Sequence, residues 1–133
     1  MSSIPVSVPV LSEALGFAPL SLARRAGDWL YVSGMPPFST ETGKIVLGDI
    51  RTQTEACLAA LDACLTAAGA TRDHVVNTRI YCANSAWFGA INEIYGAFFH
   101  APYPTRTFVP VASWPAEFDL EIDCVAYLGN DQS

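Results

Sequence analysis

The longest regular pattern in the chain covers residues 48–70 and reads GDIRTQTEACLAALDACLTAAGA. Small and apolar residues recur every three or four positions along it, which is the period of an amphipathic α-helix. Asp49 can cap the first turn, and Gly69 can end the helix in the left-handed conformation. The residues expected on the buried face of this helix are Ile50, Thr54, Cys57, Leu58, Leu61, Leu65 and Ala68.

The segments on both sides of this helix predict a mixed α+β domain. Runs of β-branched and aromatic residues bounded by Gly, Pro, Asn or Ser indicate strands, and a second helical spacing of large apolar residues follows Asn84 and Ser85. We expect strands in residues 20–27, 28–34, 74–83, 105–113 and 118–128, and the second helix in residues 84–99. The order β-β-α-β-α-β-β places both helices on one face of a mixed sheet and leaves the other face for an oligomer.

An arginine interrupts the apolar strand sequence PYPTRTFVPV, residues 102–111. In the last strand, alternation places Leu120, Ile122, Cys124 and Ala126 on one face and Asp119, Glu121, Asp123 and Val125 on the other. We expect a hairpin about WPAE, residues 114–117, which brings Arg106 and Phe108 beside Asp123 and Glu121. The pattern leaves two interpretations open: a structural ion pair, and a guanidinium that binds a ligand carboxylate beside a carboxylate that handles protons.

The composition predicts one domain that assembles with copies of itself. A chain of 133 residues suits a single domain, here residues 1–133 with residues 1–18 as an N-terminal lead-in. Only 15% of the residues are charged, and the mean hydropathy is positive. Because one small core cannot hide so much apolar surface, we expect a subunit interface.

The charge balance disfavours nucleic acid and membrane as partners. The net charge is −6, and the seven basic residues are scattered: Arg24, Arg25, Lys44, Arg51, Arg72, Arg79 and Arg106. A nucleic-acid surface needs clustered positive charge to release counterions, so we expect no nucleic-acid partner. No apolar run approaches the length of about 18 residues that a membrane span requires, so we expect no membrane partner.

The cysteines and histidines do not predict a metal site. Cys57, Cys64, Cys82 and Cys124 form no C-x-x-C pair, and the two histidines lack ligand spacing relative to them. We therefore expect buried free thiols in a reducing cytoplasm. The N-terminal sequence MSSIPVSVPVLSEALG lacks a basic region and a continuous apolar region, so we expect no signal peptide.

Six ordered blocks cover nearly the whole chain: RAGDWLYVSG (25–34), QTEACLAALDACLTAAGA (53–70), VVNTRIYCAN (75–84), FGAINEIYGAFF (88–99), PTRTFVPV (104–111) and LEIDCVA (120–126). Together they resemble the Rid/YjgF family of reactive-intermediate deaminases. The resemblance implies a chorismate-mutase-like fold, whose element order is the one expected above. It also implies a homotrimer with three clefts between subunits.

The resemblance further implies an activity and a set of site residues. Members of the family with deaminase activity hydrolyse enamine and imine products of pyridoxal-phosphate enzymes, such as 2-aminoacrylate, to 2-keto acids and ammonia. By the matching blocks, Arg106 binds the substrate carboxylate and Glu121 positions or activates water, while Ser33, Gly34 and Asn92 line the cleft. A 2-imino acid carries a carboxylate beside an electrophilic carbon, so these groups and a water molecule suffice without a cofactor.

Four residues depart from the pattern of the family, each toward an apolar or bulkier side chain. Leu20 replaces a common tyrosine, Met35 a usual glutamine, Phe108 a small residue or cysteine, and Trp114 a usual leucine. We count Leu20 and Phe108 among the substrate-binding residues. Our hypothesis is that the pocket accepts a more apolar imino acid than 2-aminoacrylate.

Alternatives to these roles stay open at the level of sequence. The Ser33 hydroxyl could bond to its own turn, and Asn92 could be a rim residue of an amphipathic helix. The protein could be a non-catalytic trimeric module that binds a small carboxylate, whereas a ribonuclease is disfavoured by the acidic charge. The aromatic residues of the second helical segment that we expect in the core are Trp87, Phe88, Tyr95 and Phe98.

Overall fold

Six strands form one mixed sheet in the computed structural model, which describes residues 3–129. The strands are β1 (Ile4–Pro5), β2 (Ala23–Ala26), β3 (Trp29–Met35), β4 (Val75–Cys82), β5 (Thr105–Pro110) and β6 (Leu120–Tyr127). The helices are α1 (Leu11–Ala14), α2 (Ile50–Ala67) and α3 (Phe88–Phe98), and short 3-10 turns at Arg72–His74 and Ser85–Trp87 precede β4 and α3. The α+β class is confirmed, and the lead-in segment adds β1 and α1, which the sequence did not predict.

The central helix α2 follows the sequence pattern closely. The Asp49 carboxylate accepts a hydrogen bond from the Thr52 amide at 2.8 Å, which satisfies one free donor of the first turn. At the other end, Gly69 has a φ of +77°, the left-handed conformation that ends a helix. The residues predicted on the inner face are buried, apart from Ala68, which is partly buried against the core.

A polar clamp joins α2 to the start of β6. Gln53 is buried, and its Nε2 donates to the Asp119 carboxylate at 2.8 Å. In return, the Asp119 amide donates to Gln53 Oε1 at 2.9 Å. Because both groups are satisfied by each other, the clamp fixes the backbone two residues before Glu121.

The last two strands do not form the predicted hairpin. The strand order is β1-β2-β3-β6-β4-β5, so β4 lies between them. β5 runs parallel to β4, and α3 supplies the crossover that a parallel pair requires. Residues 111–119 are therefore a long connection past β4, and WPAE is not a hairpin turn.

This topology also changes the partners of the charged residues. Arg106 lies opposite Thr78 on β4, and the prediction that Arg106 and Phe108 lie beside Asp123 and Glu121 is wrong. β6 is antiparallel to both β3 and β4, so the β4 residues Arg79 and Tyr81 lie opposite Asp123 and Glu121 instead. Side-chain alternation gave the faces of β6 correctly but could not identify the neighbouring strand.

The sheet has a helix face, which α2 and α3 cover, and an open face on the other side. Ile80 and Ile122 are fully buried on the helix face. Arg106 and Phe108 are register partners of Thr78 and Ile80, so they too are on the helix face. The open face carries Tyr31, Arg79, Tyr81, Glu121, Asp123 and Val125.

Candidate functional site

Arg106 lies on the helix face at the edge of the sheet, where α3 packs beside β5. Its Nη1 donates to Asn92 Oδ1 at 2.7 Å, and its guanidinium carbon is 5.0 Å from the ring centre of Tyr95. Within residues 3–129, none of the ion pairs involves Arg106. The structural ion pair is therefore excluded within this part of the chain, and the guanidinium keeps donors for a ligand carboxylate.

Two aromatic rings and one amide complete what we call the arginine group: Arg106, Asn92, Phe88 and Phe108. The Phe88 and Phe108 rings meet edge to face at a centroid distance of 5.0 Å, and Phe88 is 5.4 Å from the guanidinium carbon. Phe88 is 43% exposed and so is not the core residue that its spacing predicted, because it begins α3 at the sheet edge. Asn92 contacts the guanidinium directly.

The Glu121 carboxyl lies directly against the backbone of Gly34. β3 contains a bulge between Val32 and Met35, so the register with β6 shifts there. A Cβ atom at Gly34 would lie 2.3 Å from Glu121 Oε1. Glycine at this position therefore makes the room in which the carboxyl sits.

Glu121 holds its proton up to near-neutral pH. Burial raises the pKa of Glu121 to about 7, and the neighbouring Asp123 carboxylate adds to the rise. Within residues 3–129, the Glu121 carboxyl has no hydrogen bond that lowers its pKa and no ion pair. A carboxyl with a pKa near neutrality can both accept and release a proton during one reaction cycle.

The other two carboxylates of this strand have partners. Asp119 is held in the Gln53 clamp. Asp123 accepts from Arg79 Nε at 3.1 Å and pairs with Arg79 Nη2 at 3.0 Å, and the Tyr81 hydroxyl donates to it at 3.3 Å. Side-chain alternation did not predict Arg79 as this partner, because it does not show the register between β4 and β6. Of the three carboxylates in a row, only Glu121 is left for a ligand.

A cavity of about 530 Å³ opens beside Glu121. Ser33, Gly34 and Leu20 line it, as their predicted roles require, and with Glu121 they form what we call the glutamate group. Phe17 and Phe118 also line it but were not predicted, because they lie in irregular segments where periodicity gives no signal.

Ser33, Trp114 and Met35 have different environments. The Ser33 Oγ donates to the Ser21 carbonyl oxygen at 2.6 Å, so its proton holds the segment before β2 while its lone pairs stay available. The ring of Trp114 packs against the ring of Phe118, a residue of the cavity wall, with the two ring centroids 4.8 Å apart. Met35 is fully buried in the core and does not line the cavity, so its substitution does not reshape this site directly.

The two groups lie on opposite faces of the sheet within one chain. Arg106 is on the helix face of the edge strand β5, whereas Glu121 is on the open face of β6, with β4 between the two strands. One chain therefore cannot present both side chains to the same small molecule. Phe108 and Asn92 accompany Arg106, while Leu20, Ser33 and Gly34 accompany Glu121.

Residues 3–129 contain no group of three or more His, Cys, Asp or Glu side chains placed to hold a metal ion. None of the helices in this range is long and apolar enough to cross a membrane.

The mixed sheet with its helices on one face defines a chorismate-mutase-like α+β domain. Residues 12–128 match the family model described as Endoribonuclease L-PSP. The structure is also similar to that of YyfA from Yersinia pestis, a protein of the conserved Rid family, with a TM-score of 0.87 and 32% identity over 95% of this chain and 99% of that one. The chain belongs to the Endoribonuclease L-PSP family, and its resemblance to Rid/YjgF proteins is confirmed.

Two relatives carry names that describe an activity. The chain is 39% identical over 123 residues to Reactive Intermediate Deaminase A, chloroplastic, of Arabidopsis thaliana, which covers 92% of this chain and 65% of the relative. It is 31% identical over 123 residues to the 2-iminobutanoate/2-iminopropanoate deaminase of Dermatophagoides farinae, which covers 92% of this chain and 94% of the relative. Deamination is thus an activity found among the relatives of this chain.

Proposed function

We propose that the protein is a cofactor-independent deaminase that hydrolyses 2-imino and enamine acids of the 2-aminoacrylate type to 2-keto acids and ammonia. The observation that carries the proposal is Glu121, a carboxyl with a pKa near 7, no ion pair within residues 3–129 and a cavity beside it. The names of the two deaminase relatives support the same reaction class. Leu20 in the cavity wall supports a more apolar substrate than 2-aminoacrylate.

The working unit is a homotrimer with three clefts, in which the arginine group of one subunit faces the glutamate group of the next. The placement of the two groups on opposite faces of the sheet supports this arrangement, because a second copy must supply the missing half of each site. The open face also exposes Trp29, Tyr31 and Tyr127, and an interface would remove these rings from water.

Arg106 and Glu121 divide the chemistry between them. Arg106, oriented by Asn92, binds the substrate carboxylate through two parallel hydrogen bonds. The Glu121 carboxylate accepts a proton from water as the water oxygen bonds to the imine carbon and the C=N electron pair moves to nitrogen. Glu121 then delivers that proton to nitrogen, which gives a neutral amine. Glu121 next carries the proton of the new hydroxyl to the same nitrogen as the C–N bond breaks, which releases ammonia and the 2-keto acid.

An enamine acid needs one step before this sequence. Its β-carbon must accept a proton to give an iminium, which becomes the imine when its nitrogen releases a proton. Neutral Glu121 is a source of the proton for the β-carbon because its pKa lies near 7. The same side chain thus serves as the acid for the enamine and as the base for water.

The test is a coupled assay with imino acids generated by an amino-acid oxidase or a dehydratase, with semicarbazide as the competing trap. We expect the wild type to accelerate keto-acid formation, and Arg106→Ala and Glu121→Gln to lose at least about 100-fold in kcat/KM. The matched controls are Arg25→Ala and Glu55→Gln, which change a half-buried arginine and an exposed glutamate outside both groups.

Two other outcomes would change the assignment. Saturable carboxylate binding by the wild type without turnover, lost in Arg106→Ala, would replace the enzyme by a non-catalytic binding module. Wild-type activity retained in Arg106→Ala would remove this residue from the site.

The cysteines bear on the compartment in which the protein works. Cys57, Cys64, Cys82 and Cys124 are all free and buried, which suits a reducing environment such as the cytoplasm. Cytoplasmic location stays a prediction, which fluorescence microscopy of the tagged protein would check.

A further inference from the structure

The cavity beside Glu121 has a wall that suits an apolar side chain. Apart from Glu121 itself, only Ser33 and Lys44 among its lining residues carry polar side chains. The Ser33 hydroxyl already donates its proton to the Ser21 carbonyl oxygen, and Lys44 is exposed to solvent. The large apolar side chains of the wall include Leu15, Phe17, Leu20, Phe38, Ile45 and Phe118.

The size of the cavity exceeds what the smallest substrates need. Its volume of about 530 Å³ falls within the range of roughly 300–1,000 Å³ that is usual for ligand pockets. The side chain of 2-aminoacrylate is a single carbon, which would leave most of the apolar wall in contact with water. A larger apolar side chain would remove that wall from water, and its binding is favoured in proportion to the area covered.

Two apolar residues at the cavity are exposed in the single chain. Phe17 is 86% exposed and Leu20 is 52% exposed, and both line the cavity. Large exposed apolar side chains beside a cavity mark a surface that a ligand or a partner covers. Phe118 also lines the cavity, and its ring packs against the ring of Trp114.

We infer that this cavity binds the side chain of the substrate, and that the preferred substrates are branched-chain or aromatic 2-imino acids. This inference rests on the proposed function. The Glu121 carboxyl against Gly34 marks the position of the reacting carbon, and the substrate side chain extends from there between Leu20 and Phe118. A polar side chain would lose its water without finding a partner in this wall.

The first experiment compares kcat/KM for four imino acids, generated by amino-acid oxidases from alanine, leucine, phenylalanine and glutamate. One methylene in an apolar pocket changes kcat/KM by roughly 10–200-fold. We therefore expect the leucine- and phenylalanine-derived imines to exceed the alanine-derived imine by at least about 10-fold. The glutamate-derived imine tests whether Lys44 binds an acidic substrate side chain in this cavity. A higher kcat/KM for the glutamate-derived imine than for the leucine- and phenylalanine-derived imines would overturn the inference.

Variants then test the cavity itself. Ala116 is an exposed residue of the wall, so Ala116→Trp fills the cavity without disturbing the core. We expect this variant to lower the ratio of leucine-derived to alanine-derived activity by at least about 10-fold. Ala112→Trp, on the same connection but outside the cavity lining, is the matched control and should keep the wild-type ratio. Should Ala116→Trp fail to fold, Leu20→Gln makes the same test from an exposed position.

A binding measurement separates this inference from the proposed function. Calorimetry with the product analogues 4-methyl-2-oxopentanoate and pyruvate does not depend on turnover. Tighter binding of the branched keto acid, reversed by Ala116→Trp, supports the pocket even if no imine is hydrolysed. Hydrolysis of the alanine-derived imine with no higher kcat/KM for the larger imines would support the deaminase but overturn the inference about its side-chain pocket. An unchanged ratio of leucine-derived to alanine-derived activity in Ala116→Trp would also overturn that inference.

Discussion

The Glu121 carboxyl changes its protonation state near neutral pH because its surroundings disfavour the charged form. Burial removes water from the carboxyl, and Asp123 on the same face repels a second negative charge. Arg79 offsets part of that repulsion by pairing with Asp123. The position of one proton at this residue thus depends on a neighbour two residues away and on that neighbour's own partner.

The first prediction at this scale is a pH dependence. In the proposed mechanism the Glu121 carboxylate accepts a proton from the attacking water, so only the deprotonated form of Glu121 is active. The value of kcat/KM for an imino acid should therefore rise as pH rises through the pKa of Glu121. That pKa is raised from 4.5 to about 7 in the single chain. A guanidinium from a second subunit would lower it, so we expect a midpoint between these two values. The measurement is the pH profile of the enzyme-dependent rate after subtraction of the uncatalysed rate.

Substitutions identify the group responsible for that profile. Glu121→Gln should give a low rate without this midpoint, because an amide does not titrate. Arg79→Met leaves Asp123 unpaired, so its midpoint should move upward relative to the wild type. A midpoint that stays in place in Glu121→Gln would assign the titration to another group.

The bulge in β3 is the element that makes room for Glu121. The register shift lies where Gly34 meets the Glu121 carboxyl, and the Gln53 clamp fixes Asp119, two residues earlier on the chain. Bulges of this kind commonly re-aim side chains next to functional sites.

The second prediction concerns this bulge. Gly34→Ala puts a Cβ at 2.3 Å from Glu121 Oε1, so the flexible carboxyl must swing away. We expect activity to fall at least about 10-fold while the free energy of unfolding changes by less than about 1 kcal/mol. Gly96→Ala is the control, because a Cβ there meets no atom within 4 Å and should stabilise α3 by roughly 0.5–1 kcal/mol. Urea unfolding and the coupled assay measure both quantities.

The elements differ in how far the sequence could predict them. The α2 pattern and its caps are local, so residues 49–69 were predicted correctly from spacing and chemistry alone. The partner of β5 was not, because a strand's alternation shows its faces but not its neighbour, and a connection such as 111–119 can turn back or pass over a strand. The polar contact between Arg106 and Asn92 likewise depends on how α3 packs on the sheet.

At the scale of the whole molecule, Arg106 and Glu121 lie on opposite faces of the sheet, so the proposed site requires an assembly of subunits. Five of the residues expected at the site were assigned from the matching blocks, yet in one chain they form two groups on opposite faces of the sheet. Catalysis would then depend on protomer concentration, because dissociation separates the arginine group from the glutamate group.

The third prediction is complementation between two inactive variants. Arg106→Ala and Glu121→Gln subunits, refolded together, should form mixed trimers in which some clefts combine an intact arginine with an intact glutamate. Random mixing at equal amounts should restore about a quarter of the wild-type activity, because each cleft draws its halves from two subunits independently. Light scattering checks that the mixed species is a trimer.

The controls follow from the same geometry. Each variant refolded alone should stay inactive, and mixing folded trimers without unfolding should restore nothing unless subunits exchange. Absence of recovery in a confirmed mixed trimer would place both residues in one subunit's site and contradict the arrangement.

The four buried thiols have a consequence for a protein that handles electrophiles. Burial raises the pKa of Cys57, of Cys82, of Cys124, and of Cys64 to about 12, so thiolates are scarce at neutral pH. Imines and their aminoacrylate tautomers are electrophiles that exposed nucleophiles attack, and a thiolate is the most reactive nucleophile a side chain offers. In the proposed deaminase, burial of these four thiols would protect the chain from modification by its own substrate.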